Sequence, residues 1–469
     1  MAPLNSFFDF TLNSDQTELV ARLEKFFNSS SENIFIIKGH AGTGKTTLVS
    51  GIAKFFEAIE RQIILLATTG RASKVLNRKT GFDTYTVHNY IYSLTEDDRY
   101  GESGTHKLVF NIKKNKDSDK AVYVIDEVSM LSNHKAKSAD SAFLQFGSGK
   151  LLSDLVRYTD GRKMIFVGDP SQLPPINTMF SAALSKEYLE STFGLKVTGY
   201  QLSIVERQKN AAGISFNTTK LRKNIAEGNY PLLSVKESGF TDIARYAQES
   251  LLVKVYADMF SFKNPYRNII LAYSNKKVAA LNKMVRNRLF NGQTMLAEGE
   301  LLMVYLNNYK YELTNGEHIV AQRLTGNTDY RAGLHFTEII ISYFDRGEYQ
   351  SAKAFIINEF LLAEKGISQE QERNLFIDFS IRMREKNIKP KDSLFRDMMM
   401  VDPYLNALRV KYGYAVTCHK AQGGEWENVF MQFERFTFRF PVEQQYRWAY
   451  TAISRAVEKL HVLHNYCLY

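Results

Sequence analysis

The sequence predicts an α/β protein with two parallel-sheet domains, and three observations carry that prediction. Short apolar strands alternate with helical or irregular segments from residue 16 to about 185, the pattern of a parallel sheet covered on both faces. A second pattern of the same kind begins near Leu202 and resumes late in the chain. Between about 292 and 403 the reading changes to antiparallel-type strands, which places a β-rich module inside the second domain. At 469 residues the chain has room for about three domains of ~150 residues, so its cores need no disulfide or metal staples.

The first domain is expected over 1–87 and 121–190. Its strands are NIFIIKG (33–39), QIILLAT (62–68), AVYVID (121–126) and KMIFVGD (163–169), each an almost unbroken apolar run. The stretch 88–120 interrupts them: aromatic NYIYSL, then acidic and Gly-rich TEDDRYGESG, then a basic segment, as expected of a small projecting hairpin. The second domain is expected over 191–291 and 404–469. Strand NIILAYS (268–274) leads into KKVAALNKMVRNRLF (276–290), whose apolar residues recur at three and four. Later strands are AVTCHKA (415–421), NVFMQF (428–433) and LHVLHNY (460–466), with helix-like VEQQYRWAYTAISRA (442–456) among them. In the module at 292–403, LLMVYLNN, HIVAQRL, HFTEIIISYF and AKAFIIN read as strands, Asn315-Gly316 as a turn, and QEQERNLFIDFSIRMREKN as a helix.

Lysine and arginine exceed aspartate and glutamate for a net charge of +10, a bias that attracts polyanions without identifying one. No apolar run reaches the ~20 residues needed to cross a bilayer, so a membrane partner is not expected. The opening MAPLNSFFDF lacks an export signal's basic start and apolar run, and the cysteines are Cys418 and Cys467. A soluble protein of the reducing cytoplasm is the expectation.

Chemistry enters at Gly39-His40-Ala41-Gly42-Thr43-Gly44-Lys45-Thr46, which matches G-x-x-x-x-G-K-[ST] between a strand and a helix. Glycines let a backbone wrap phosphates and aim amides at them, over the positive end of the following helix. Gly42, Thr43, Gly44, Lys45, Thr46 and Thr47 are the expected contacts of ATP, with Lys45 neutralising the outer phosphates and Thr46 offering a hydroxyl to Mg²⁺. Downstream, the buried strand VYVID delivers Asp126 and Glu127 at its C-terminal end. Asp126 suits the Mg²⁺ water shell and Glu127 a general base for water.

DEVSM (126–130) followed by GDPSQLPP (168–175) resembles the superfamily 1 helicases, in the subgroup of RecD-like and phage Dda-like 5′-to-3′ enzymes. Further segments match that family in order: Leu12-Asn13 with Gln16; ATTGRA (67–72); Thr86-Val87-His88; Leu202 with Glu206-Arg207-Gln208; YAVTCHKAQGGE (414–425); and YTAISRA (450–456). The resemblance implies two RecA-like domains, an SH3-like module, and an ATP-driven motor that translocates on single-stranded DNA and opens duplex at single-strand/duplex junctions. It implies service in DNA repair, recombination or replication, as a monomer. It assigns Gln16 to adenine, Glu425 to ribose and Gln172 to the γ-phosphate, and makes Arg207 and Arg455 arginine fingers. Thr68, Thr69 and His88 in the first domain, and Thr417 and His419 in the second, become DNA contacts. The aromatic insert from Asn89 to Lys120 becomes a strand-separating pin.

Other readings are weaker. His461, His464 and Cys467 recur at threes but lack a fourth zinc ligand nearby, and Cys418-His419 lies inside a helicase motif. RMREKNIKPK (382–391) is either a DNA-facing surface or a solvated helix end. Two further function classes compete: a remodelling ATPase without unwinding activity, and a RecD-like subunit of an exodeoxyribonuclease complex. No nuclease carboxylate cluster is evident for the latter.

Overall fold

The computed structural model describes residues 3–94, 108–135, 144–176, 178–205, 212–308, 310–345, 348–363, 366–390, 392–434 and 441–463. The chain forms two compact units. The first runs to Leu233 and takes in Gln422–Gly424 and the helix Val442–Ile453; the second begins at Ser234 and holds the remaining described segments.

The first unit is built on a six-stranded sheet whose pairs are all parallel. Across the sheet the strands are Thr84–Thr86, Ile63–Ala67, Val122–Asp126, Lys163–Gly168, Ile34–Gly39 and Val197–Leu202. Ile34 to Ile37 and Val122 to Ile125 are all buried, as strands covered on both faces demand. Leu19, Leu23 and Phe26 from helix Ser14–Asn28, with Leu48, Ile52 and Phe56 from helix Lys45–Ala58, close one core against the sheet. Register pairs Lys38 with Gly168 and Ile125 with Phe166, so three neighbouring strands end at one edge of the sheet.

The expected first-domain boundary at residue 190 falls short. Val197–Leu202 pairs with Ile34–Gly39 and belongs to the same sheet. It is a half-exposed edge strand, and Gly199 is required there because a Cβ would lie 2.5 Å from the Ile36 carbonyl oxygen. The insert is also more than a hairpin: Tyr92–Leu94 pairs antiparallel with Leu108–Ile112, and Leu144–Phe146 adds a third, parallel strand. The tip, 95–107, lies outside the described residues.

In the second unit Ile243–Tyr246, Ala456–Leu463, Trp426–Met431, Asn268–Ala272 and Ala415–Thr417 form a parallel sheet in that order. The β-rich module is a five-stranded antiparallel sheet: Glu348–Ile357, Leu334–Asp345, His318–Arg331, Leu301–Val304 and Val410–Tyr412. Gly316 turns between Leu301–Val304 and His318–Arg331 with φ +88°, where the sequence places a turn. Sheet and module share one core, in which Ile270, Leu281 and Val285 join Leu301, Ile319, Ile339, Ile356 and Val410. Helices Gln369–Glu385 and Ser393–Val401 pack a small satellite core around Phe379, Met383 and Phe395.

Candidate functional site

The phosphate loop leaves strand Ile34–Gly39 and enters helix Lys45–Ala58 through Gly44, at φ 83° and ψ 15°. A left-handed residue directly before the helix favours glycine, and Gly42 at φ +82° needs the same freedom. A Cβ on Gly39 would meet Thr43 Oγ1 at 2.6 Å, so side chains are excluded from the inside of the turn. Lys45 Nζ donates to the carbonyls of Gly39 at 2.8 Å and His40 at 2.9 Å, which curls the ammonium over the loop. Thr46 is half-buried and Thr47 exposed in the first helical turn. A tight glycine cradle with one ammonium over it fits a polyphosphate.

Asp126 and Glu127 follow the neighbouring strand Val122–Asp126. Asp126 is buried, and its Oδ1 accepts the Glu127 amide at 2.8 Å. Glu127 takes a left-handed backbone, φ 55° and ψ 37°, a conformation that side-chain-bearing residues rarely adopt. Thr68 Oγ1 donates to the Glu127 carbonyl at 3.0 Å and holds that turn. The next strand, Lys163–Gly168, ends at Asp169, which is buried; its carboxylate accepts from Ser171 N at 2.9 Å and Tyr450 Oη at 2.7 Å, and meets His40 Nδ1 at 3.3 Å. Burial alone would raise this carboxyl, but the hydrogen bonds and the Lys45 charge bring it down to about 2. Gln172 is buried, and its Oε1 has no hydrogen-bond partner, an unmet acceptor beside the site.

Several residues assigned from resemblance have other partners. Gln16 is the third residue of helix Ser14–Asn28 and closes a capping box: its Oε1 accepts Asn13 N at 3.1 Å, while its Nε2 points at the Thr43 carbonyl at 3.4 Å. Both ends of the amide are engaged within the protein, so adenine recognition requires those bonds to open. Thr68 braces Glu127, and Thr69 caps helix Gly70–Thr80 by accepting Ala72 N at 3.2 Å. His88 packs against Tyr92 and Phe146 at the root of the insert, and burial pushes its pKa down to about 4, so it is a neutral imidazole.

Of the second-unit candidates, Thr417 ends the strand Ala415–Thr417 and His419 sits in the following turn, where burial lowers its pKa to about 4. Glu425 is exposed. Arg455 is buried, and its carbonyl accepts Trp426 N at 3.0 Å. Arg207, with Glu206 and Gln208, lies outside the described residues, as do His464 and Cys467. His461 is stacked on Phe430 with ring centroids 4.1 Å apart, and no group of three potential metal ligands occurs among the described residues.

The helix Val442–Ile453, expected in the second domain, is bound to the first unit. Tyr450 reaches Asp169 and the Ala41 amide, Thr451 Oγ1 accepts Leu173 N at 3.0 Å, and Arg447 reaches the carbonyls of Pro170 and Gln172. Gln422 Nε2 donates to the Leu173 carbonyl at 2.9 Å, so the Gln-Leu-Pro-Pro run is held from two later motifs. Sequence reading placed Asp169 in GDPSQLPP and Tyr450 in YTAISRA but gave neither a role, because their bond joins residues 281 positions apart.

A family model described as an AAA domain matches residues 11–230, and a UvrD-like helicase C-terminal domain model matches residues 412–463. The uncharacterized protein R530 of Acanthamoeba polyphaga mimivirus is 22% identical over 96% of this chain and 99% of its own length. The ATP-dependent DNA helicase Dda of Enterobacteria phage T4 is 27% identical over 57% of this chain, a match that spans 55% of that protein. Among solved structures, the Pif1 helicase from Candida albicans is 15% identical, covering 97% of this chain and 95% of that chain, with a TM-score of 0.47. No helix among the described residues is long and apolar enough to cross a membrane.

Proposed function

We propose that the chain is an ATP-dependent DNA helicase, similar to the superfamily 1 helicases of the RecD and Dda type, that moves 5′-to-3′ on single-stranded DNA. The observation that carries the reading is one sheet edge, where three adjacent parallel strands present the Lys45 loop, Asp126 with Glu127, and Asp169. Ligands of open α/β sheets bind at the carboxyl ends of strands.

In this reading the loop amides and Lys45 bind the triphosphate. Thr46 and Asp126 would hold Mg²⁺, which supplies charge neutralisation on the phosphates when bound. Glu127 orients and deprotonates the attacking water, and its fixed backbone keeps the carboxylate from wandering. Gln172 senses the outer phosphate through its amide N–H, while its unmet Oε1 is left to accept from a donor such as the attacking water. Arg207 and Arg455 spread positive charge over the transferring phosphoryl oxygens, a role worth ~10³ to 10⁵ in rate. Thr417 and His419 contact the strand through hydroxyl and neutral imidazole, without sequence preference. The insert around Tyr92 and Phe146 supports a pin: each base-pair step opened costs on the order of 1.4 kcal/mol, and a rigid wedge makes directional motion productive.

ATP hydrolysis measured with and without single-stranded DNA tests the class. A helicase is stimulated by the strand, whereas a remodelling ATPase is indifferent to it and an inert subunit has no turnover. Strand displacement from 5′ and 3′ overhangs then tests direction: opening is expected from the 5′ overhang, and opening confined to the 3′ overhang overturns the polarity.

A further inference from the structure

We propose that Tyr450 is a positioning residue of the nucleotide site, fixing through its hydroxyl the His40–Ala41 peptide of the phosphate loop and thereby the Lys45 ammonium. The inference rests on the reading of that loop as the ATP site.

The geometry is a chain of four groups. Tyr450 Oη donates to Asp169 Oδ2 at 2.7 Å and accepts the Ala41 amide at 3.1 Å. The same peptide unit carries the His40 carbonyl, which accepts Lys45 Nζ at 2.9 Å. In a trans peptide the C=O and N–H point in opposite directions, so this one plane is gripped on one side by the tyrosine and on the other by the lysine. Each bond runs the same way. The buried carboxylate polarises the hydroxyl, the hydroxyl oxygen becomes a better acceptor for the amide, and the amide's polarisation makes the His40 carbonyl a better seat for the ammonium.

The seat orients Lys45 without sequestering it. An ammonium has three N–H donors, and Gly39 and His40 take two, leaving one for a phosphate oxygen. The tyrosine is itself fixed: its ring meets the His40 ring edge-on, with centroids 6.3 Å apart, and its helix is pinned by Thr451 and Arg447 to Leu173 and Pro170. Asp169 is anchored by Ser171 N. Through the loop peptide, Tyr450 thus acts on where the charge over the loop stands.

The test is Tyr450→Phe, which keeps the ring and removes the hydroxyl, read by equilibrium titration of a fluorescent non-hydrolysable ATP analogue and by steady-state ATPase. Affinity is expected to fall about five- to tenfold, the loss of one hydrogen bond's orientation, with KM rising in step and kcat changing less than about twofold. In a Lys45→Ala background the same substitution is expected to add no further loss, because the hydroxyl acts through the ammonium. An unchanged affinity, or an equal loss in both backgrounds, overturns the proposal, the latter by marking a purely structural tyrosine. Should Tyr450→Phe fail to fold, Asp169→Asn must give the same pattern, or the proposal falls. If the unmutated protein binds no analogue, the reading of the loop itself fails; if it binds and the variants match it, only the role of Tyr450 does.

Discussion

Glu127 shows how one side chain's duty is decided by its neighbours' backbone bonds. The residue sits at φ 55°, a left-handed conformation costing of order 1–3 kcal/mol, and the contacts that hold it there include Asp126 Oδ1 on its amide, Thr68 Oγ1 on its carbonyl and Met130 N on that same carbonyl. Thr68→Val keeps the shape and removes the second. It is expected to lower ATPase turnover several-fold and stability by ~1 kcal/mol, while affinity for single-stranded DNA without nucleotide stays within twofold. A selective loss of DNA affinity with normal basal ATPase would instead give Thr68 the DNA-gripping role that family resemblance assigns. Glu127→Gln is the companion experiment: nucleotide binding persists and hydrolysis falls at least ~10²-fold, as removal of a general base requires. Near-normal turnover there would remove Glu127 from the chemistry.

At the scale of elements, the β-rich module is joined to the second sheet by more than chain connectivity. Arg286 on helix Asn275–Leu289 makes a bidentate pair with Glu300, its Nε 2.7 Å from Oε2 and its Nη2 2.6 Å from Oε1, and lies over the Tyr412 ring at 4.2 Å. Glu300 also accepts Ala297 N at 3.0 Å, and Arg286 donates to the Met295 carbonyl, so the pair closes the entry to the module. Both side chains are buried, and removing one partner strands a charge. Glu300→Leu is expected to cost about 3–5 kcal/mol, whereas Arg286→Met with Glu300→Leu costs far less. Chemical denaturation of the two single variants and the double measures this directly; additive losses would mean that the charges act independently. The same scale shows what sequence can reveal. Ile34–Gly39 and Val122–Asp126 are legible because burial on both faces leaves unbroken apolar runs. Val197–Leu202 is not, since an edge strand with half-exposed residues and a glycine carries no such run. Lys45, Asp126 and Glu127 are legible because loop chemistry is local, while the Ala41–Tyr450 bond spans 409 positions and exists only after folding.

For the whole molecule, the response to acid follows from three histidines that folding keeps neutral. Burial lowers His88, His419 and His461 to about 4 from an ordinary value near 6.5. His461 is sandwiched by Phe430 and Tyr246, with the Tyr246 hydroxyl 2.7 Å from its Nδ1. Above pH 6.5 folded and unfolded chains both hold these rings neutral, so stability does not depend on them. Between 6.5 and about 4 the unfolded chain takes up protons that the folded one refuses, and stability falls with decreasing pH, by at most ~1.4 kcal/mol per pH unit per histidine. The carboxylates act elsewhere: Asp15, bound by Ser203 and Ile204, and Asp169 both lie below the ordinary value of 3.8, so their contributions fade only as pH drops beneath it. The thermal midpoint is therefore expected to drop between pH 7 and pH 5, before Asp15 or Asp169 titrates. His461→Phe, which keeps a ring in the stack, should flatten that drop even if it lowers the midpoint at pH 7, because it removes one of the three protons from the balance. A midpoint constant from pH 7 to pH 5 would mean that these imidazoles are solvated, and it would return His88 and His419 to the surface where a charged contact to phosphate is available.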